Sequence, residues 1–270
     1  VNRKSLGPAI ASRAQTKFSK FARQAAFALL AALCLGAQGF AANETFVKTY
    51  PLTSGGSFLL ENVNGSVRVE GWSRDEVEVR AIKTAVADVR DLDRVTIEVR
   101  REPGQVAVHT RYPQGQGVEV AVEYLIHVPY RVLLGNVQTV NGSVVVSGVD
   151  GQGDLRSVNG NVEVLDSSGR FNARTTNGDL HLELRRLADD GPMDIETING
   201  SVVLGLPSDV QANLNVLNMN GDFSSELAMT ASMGTPASRV FRARLGSGGG
   251  QISVRTVNGG IHLIRERSGA

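Results

Sequence analysis

The 270-residue chain offers few side chains whose type and spacing could do chemistry. The sharpest pair is Asp179 and Asp222, each directly after an Asn-Gly dipeptide. Two carboxyls about 6.5–9.5 Å apart can serve as acid and base in an inverting glycosidase. If each Asn-Gly marks one turn of a stacked coil, with Ser201 on the turn between, these acids lie about 9.6 Å apart. The equivalent position elsewhere holds Ser66, Ser143, Asn161 and Gly260, and Asp is an ordinary turn residue. A structural role is therefore expected, and no catalytic residue is assigned.

Other candidates read the same way. His109, His127, His181 and His262 show no metal-ligand spacing. His181 and His262 share an outward position several turns apart, so solvated strand positions are expected. Asp150-Gly151-Gln152-Gly153-Asp154 resembles a calcium loop but brings only two carboxylates and no bidentate Glu at the proper spacing. A turn is expected there. Trp72, beside Gly71, could stack on a sugar, but a lone Trp more often covers the end of a core. There is no Gly-x-Ser-x-Gly and no P-loop, and Gly246-Ser247-Gly248-Gly249-Gly250 follows no dinucleotide-binding unit. No enzyme, metal or cofactor is expected.

What must position all of these is a repeat. A pentad of one residue, Asn-Gly, any residue and an apolar residue recurs at Asn64-Gly65, Asn141-Gly142, Asn159-Gly160 and Asn177-Gly178. It returns at Asn199-Gly200, Asn220-Gly221 and Asn258-Gly259. From Asn141 the steps are 18, 18, 22, 21 and 38 residues, the last being about two ordinary steps. Asn64 precedes Asn141 by 77 residues, about four steps. A repeat this short cannot bury an apolar face alone, so its copies must stack.

Each position of the repeat has a job. Apolar residues two apart follow the glycine, as in Val144/Val146, Val162/Val164 and Leu180/Leu182, and must face the interior. Between them Arg68, Val145, Glu163, His181, Val203 and His262 point out. Two residues before each Asn stands a small polar residue: Asn62, Thr139, Ser157, Thr175, Thr197, Asn218 or Thr256. Asn-Gly accepts positive φ at both positions and supplies a sharp corner.

The N-terminal 41 residues belong to a different class. Arg3, Lys4, Arg13, Lys17, Lys20 and Arg23 occur with no acid, Ala25 to Leu35 is almost wholly apolar, and Gly39-Phe40-Ala41 ends in small residues. That order is a secretory signal peptide, its apolar core too short for a permanent anchor. Leu33 before Cys34 is too large for a lipoprotein signal. Without this leader Lys+Arg falls from 28 to 22 against 27 Asp+Glu, a net charge of −5. No basic patch for nucleic acid survives, and the only cysteine leaves as well.

Residues 42–267 then read as a single β-repeat domain. Thr45 to Tyr50, Ser57 to Glu61, Val77 to Thr84, Val95 to Arg100, Val106 to Thr110 and Val118 to Val128 alternate apolar and polar side chains. Asp88 to Asp93 is the one helical turn expected, with long connections at 187–190 and 224–237 and a frayed tail at 268–270. No segment after residue 42 is apolar for long enough to cross a membrane.

Two architectures fit the dense repeats. Asn-Gly could cap two-residue hairpins, stacked or folded as a sandwich, or form the corner of a coil whose turns lie in parallel register. Period regularity favours the coil, with its asparagines about 4.8 Å apart in a buried amide ladder.

Asn62-Val63-Asn64-Gly65-Ser66-Val67, Gly71-Trp72, Glu76-Val77-Glu78-Val79, Ile126-His127-Val128-Pro129 and the later Asn-Gly units together resemble the bacterial putative-adhesin family, a β-strand-repeat domain of unknown function. The resemblance spans nearly all of residues 43 to 265. It implies a single-stranded, right-handed β-helix-like fold on an exported protein of the periplasm or cell surface, and carries over no catalytic residue. The functional expectation is a non-enzymatic, adhesin-like or envelope interaction module with a protein or glycan ligand. Its alternatives are a carbohydrate-active β-helix enzyme and an accessory protein in envelope-stress signalling.

Overall fold

The computed structural model describes residues 42–85, 88–113, 117–188, 191–236 and 238–266. The candidate signal peptide at 1–41 and the tail at 268–270 lie outside the described residues. In chain order the strands begin with β1 (Ala42–Pro51), β2 (Ser57–Glu61), β3 (Val67–Trp72) and β4 (Glu76–Ala85). A 3₁₀ turn at Val89–Arg94 precedes β5 (Thr96–Glu102), β6 (Gln105–Arg111), β7 (Val120–Pro129) and β8 (Arg131–Gln138). Next come β9 (Val144–Ser147), β10 (Asp150–Arg156), β11 (Val162–Asn177), β12 (Leu180–Leu187), β13 (Met193–Asn199) and β14 (Val202–Leu206). Last are β15 (Ala212–Asn220), β16 (Phe223–Ser225), β17 (Met229–Met233), β18 (Val240–Leu245), β19 (Gly250–Asn258) and β20 (Ile261–Arg265).

Asn-Gly lies between strands that pair with neighbouring copies rather than with each other. Strands before the dipeptide stack as one parallel wall, in the order β2, β8, β10, the later half of β11, β13, β19, β15. Strands after it stack as a second wall, β3, β9, the earlier half of β11, β12, β14, β20, β16. The hairpin alternative therefore does not hold for these units; the dense repeats are solenoid-like. β11 crosses between the walls at Asp166, whose φ of 49° is the only left-handed one outside glycine among the described residues. Asp tolerates that region through its short polar side chain.

Period two fills the space between the walls. Val144/Val146, Val162/Val164, Leu180/Leu182 and Val202/Leu204 are buried from one side, Val137, Leu155, Ala173, Ile195 and Val254 from the other. Each such side chain contributes about 1.5–3 kcal/mol by leaving water. Packing is complementary in size, too. Gly153 pairs with Phe171 on the next strand, and a Cβ on Gly153 would run into that ring.

Several expectations from the chain are corrected. The 77 residues between Asn64 and Asn141 are not four turns, since β2 pairs directly with β8. The insertion supplies one further turn, with β6 parallel to β2 and β7 parallel to β3, and edges it with antiparallel strands: β4 and then β1 beyond β7, and β5 beyond β6. Nor are the 38 residues after Asn220 two turns. They hold β18 and β17, antiparallel strands added beside β15, so a strand occupies the connection expected at 224–237. β19 then returns to fill the place between β13 and β15. Residues 150–154 are not a turn but most of β10. The helical turn is a 3₁₀ segment capped by Asp88, and it matters to packing. Lys83, buried, donates to the carbonyls of Leu92 at 2.9 Å and Val95 at 3.1 Å and pairs with Glu44 at 2.6 Å.

Candidate binding surface

The repeat's polar residues are engaged with one another. Each ladder asparagine donates its Nδ2 to the Oδ1 of the copy before it in the stack: Asn141 to Asn64 at 2.7 Å, Asn159 to Asn141 at 2.8 Å, Asn177 to Asn159 at 2.9 Å. The series continues with Asn199 to Asn177 at 2.8 Å, Asn258 to Asn199 at 2.8 Å and Asn220 to Asn258 at 3.0 Å. Asn258 is thus interior and Asn220 terminal, the reverse of their chain order. The ladder also faces solvent, with Asn141, Asn159, Asn177, Asn199, Asn220 and Asn258 all exposed. Nor do the asparagines adopt positive φ. Positive φ falls on five of the seven ladder glycines, as at Gly160 (157°).

Close approach explains the glycine better than its φ does. A Cβ on Gly160 would land on the carbonyl of Gly142, one on Gly200 on the carbonyl of Gly178, and one on Gly259 on the carbonyl of Gly200. Those carbonyls are satisfied by the small polar residues upstream. Thr139 donates to Gly65 O at 2.9 Å, Ser157 to Gly142 O at 2.8 Å and Thr175 to Gly160 O at 2.8 Å. Thr197 donates to Gly178 O at 3.0 Å and Thr256 to Gly200 O at 2.9 Å. All five hydroxyl residues are buried, so each meets a backbone acceptor that water cannot serve.

Asp179 is committed in a parallel column: its Oδ1 accepts the N–H of Ser201 at 2.7 Å. Because the stack runs from the Asn177 copy through those of Asn199 and Asn258 to Asn220, Asp179 and Asp222 are three copies apart, about 14 Å in strand spacings. That exceeds the span of an inverting pair. His181 and His262 flank Val203, two copies apart rather than several. His181 lies 2.8 Å from Glu183 and His262 bonds Ser224 at 2.8 Å. His109 lies 2.7 Å from Glu61. Trp72 is not a free platform either. His127 stacks on it at 5.0 Å, Arg74 sits 4.8 Å over its ring, and its Nε1 donates to Glu76 O at 2.8 Å.

Burial raises two phenols in the β6–β7 region. It pushes Tyr112 up to about 12, although its hydroxyl is held 3.1 Å from Val120 O. Burial likewise raises Tyr124, which shares a 2.7 Å hydrogen bond with Thr110. At the surface, hydrogen bonds from Arg90 hold Asp88 down to about 2.

The residue immediately before each ladder Asn, in sequence only the first member of its pentad, points into solvent. Val63, Val140, Val158, Ile198, Val257 and Met219 are 36–44 % exposed and, with Thr176, form one continuous row along the stack. Exposure at a repeated aliphatic position was the available signal: a β-branched residue between a buried hydroxyl and a solvated Asn has to face outward. Beside the row runs a shallow groove of about 340 Å³, walled on one side by Val140, Val158 and Ile198 and on the other by Gln138, Arg156, Arg174 and Glu196. Arg156 pairs with Asp154 at 3.0 Å, and Arg174 lies 3.7 Å from Glu196.

Residues 131–263, from the start of β8 into β20, match the Toastrack DUF4097 family. The chain carries a Toastrack domain. The match begins after β7, although β2, β3, β6 and β7 join the same parallel walls. Similar solved structures include a putative cell adhesion protein from Clostridium sporogenes, 10% identical over 83% of this chain and 100% of that one, with a TM-score of 0.49. A putative adhesin from Bacteroides fragilis is 8% identical over 82% of this chain and 97% of its own, with a TM-score of 0.42. A putative lipid binding protein from Parabacteroides distasonis is 7% identical over 83% and 98%, with a TM-score of 0.29. Likenesses at these scores carry no weight on activity. No curated protein matches the chain. Among the described residues no helix is long and apolar enough to cross a membrane, which says nothing of strands.

Proposed function

We propose that this chain is an exported, non-enzymatic interaction module of the cell envelope, adhesin-like in that it acts through its outer surface. In this reading residues 1–41 are removed as a signal peptide and 42–267 act as one right-handed, single-stranded β-coil with Asn-Gly corners. The observation that carries it is the fate of the repeat's polar groups. Asn, Thr, Ser and Asp179 are engaged by neighbouring copies, and the one acid pair with catalytic promise is three copies apart. What remains outward is broad and mixed: Arg156, Arg174, Glu196 and Arg255 on one wall, Arg68, Val145, Glu163 and His181 on the other. Extended faces of this kind suit contact with a macromolecule such as an envelope protein or glycan.

The test is a panel of pectins, glucans and peptidoglycan fragments, with and without calcium. Binding without turnover is expected for at least one glycan or for an envelope protein recovered by crosslinking. Turnover abolished by Asp179→Asn or Asp222→Asn would defeat the reading.

A further inference from the structure

We infer that the aliphatic row before the asparagine ladder is a self-association surface, on which two copies of this chain pack side by side with their stacking axes parallel. This goes beyond the interaction role proposed above and does not depend on it. The row holds Val63, Val140, Val158, Thr176, Ile198, Val257 and Met219 in stack order, spanning six strand spacings, about 29 Å. Six of its seven members are aliphatic and 36–44 % exposed. Together they present roughly 300–400 Å², the size of the largest patch on an ordinary monomer and commonly a functional one. Two such rows plus their polar flanks approach the roughly 1,600 Å² of a standard interface.

The occupant follows from period and charge. The row repeats once per strand spacing, about 4.8 Å, whereas an α-helix advances 5.4 Å per turn and drifts out of step by about 3–4 Å over six spacings. Another copy of the same stack has the same period throughout. Aliphatic side chains offer no aromatic platform for a sugar ring. An anionic lipid surface would meet the carboxylates of Asp179 and Asp222 on the far side of the ladder.

Orientation is set by the flanks. A two-fold axis parallel to the stack brings the arginine side of one row against the ladder side of the other. Arg174, which pairs across the wall with Glu196, belongs to the same copy of the repeat as Asp179 and would face the Asp179 of the second copy. Arg255 would lie one spacing from Asp222 of the second copy. The opposite orientation sets Arg174 against itself. In the parallel arrangement every member of the row meets its own counterpart.

Cysteine pairing reads this directly, because Cys34 is the only cysteine in the chain. In full chain bearing Cys34→Ser, the single changes Val140→Cys, Val158→Cys and Ile198→Cys should each give a disulfide-linked dimer on mild oxidation. Val47→Cys, 47 % exposed on β1, should not. Light scattering on the unmodified chain should show a dimer that Ile198→Asp converts to monomer with an unchanged circular-dichroism spectrum. Crosslinking only when Val158→Cys is mixed with Ile198→Cys would overturn the parallel orientation. A monomer at all concentrations, or a monomer that co-sediments with phosphatidylglycerol vesicles through this row, would overturn the self-association. Either failure leaves the ligand panel above unaffected.

Discussion

Adding one methyl group at Gly160 should cost this fold more than removing any single one of its surface hydrogen bonds. The Cβ of Gly160→Ala would fall on the carbonyl oxygen and carbon of Gly142 and against the nitrogen of Ser143. All three are backbone atoms, so no side chain can swing aside, and the two copies must move apart. That opening strains Gly142 N–H to Asn159 O at 3.0 Å, Ser157 Oγ to Gly142 O at 2.8 Å, Asn159 Nδ2 to Asn141 Oδ1 at 2.8 Å and Asn161 N–H to Ser143 Oγ at 3.2 Å. Losing two or three of these at about 1 kcal/mol each, plus about 1 kcal/mol for alanine at positive φ, totals about 3–4 kcal/mol. At about 2–4 °C per kcal/mol for a domain of this size, Tm should fall by about 6–16 °C. Gly104 is the control: its φ is 73° but nothing lies within 4 Å of a built Cβ. Gly104→Ala should therefore lose only the conformational part, about 1 kcal/mol. Circular-dichroism melts of both variants decide it. Equal shifts would refute the claim that close approach, rather than φ, demands the glycine.

Three further outcomes are expected. Asn258→Ala breaks two ladder bonds and Asn220→Ala one, so by melting temperature Asn258 should behave like Asn159 and cost about twice what Asn220 does, at about 0.5–1 kcal/mol per exposed bond. A smaller effect at Asn258 would mean the chain order, not the observed pairing, sets its place. Thr175→Val keeps the shape of a buried side chain but leaves the Gly160 carbonyl without its 2.8 Å donor, costing about 1–3 kcal/mol in urea unfolding; a neutral result would show that the hydroxyl column is dispensable. The phenol of Tyr112 is raised in the folded state, so its contribution is whole below pH 10 and fades as pH climbs toward 12. Stability measured from pH 9 to 12 should decline over that window, less so in Tyr112→Phe.

Much of the fold was written locally. Alternation such as Val77-Glu78-Val79-Arg80 demands a half-buried strand, and β4 covers it. The pairs two apart after each glycine demand one inward face, and Val162, Val164, Leu180 and Leu182 are buried. The buried column of Thr139, Ser157, Thr175, Thr197 and Thr256 was visible as a pattern, although not its purpose. Which carbonyl those hydroxyls meet depends on a neighbour 15 to 74 residues away.

Local pattern and residue type by themselves determined that this chain is all-β, that Asn-Gly marks a corner between strands of stacked copies, and which side chains turn inward. These follow from period two and from the inability of a short repeat to bury its own face. Only the tertiary structure decided parallel pairing over hairpins and the order of the stack. Spacing cannot distinguish two further turns from an antiparallel excursion, because both consume similar lengths of chain. β19 joins the open edge of β13, where its inward Ile252 and Val254 continue the core. That single pairing moves Asn258 into the ladder's interior, sets Asp179 and Asp222 three copies apart, and aligns Val257 between Ile198 and Met219 in the exposed row.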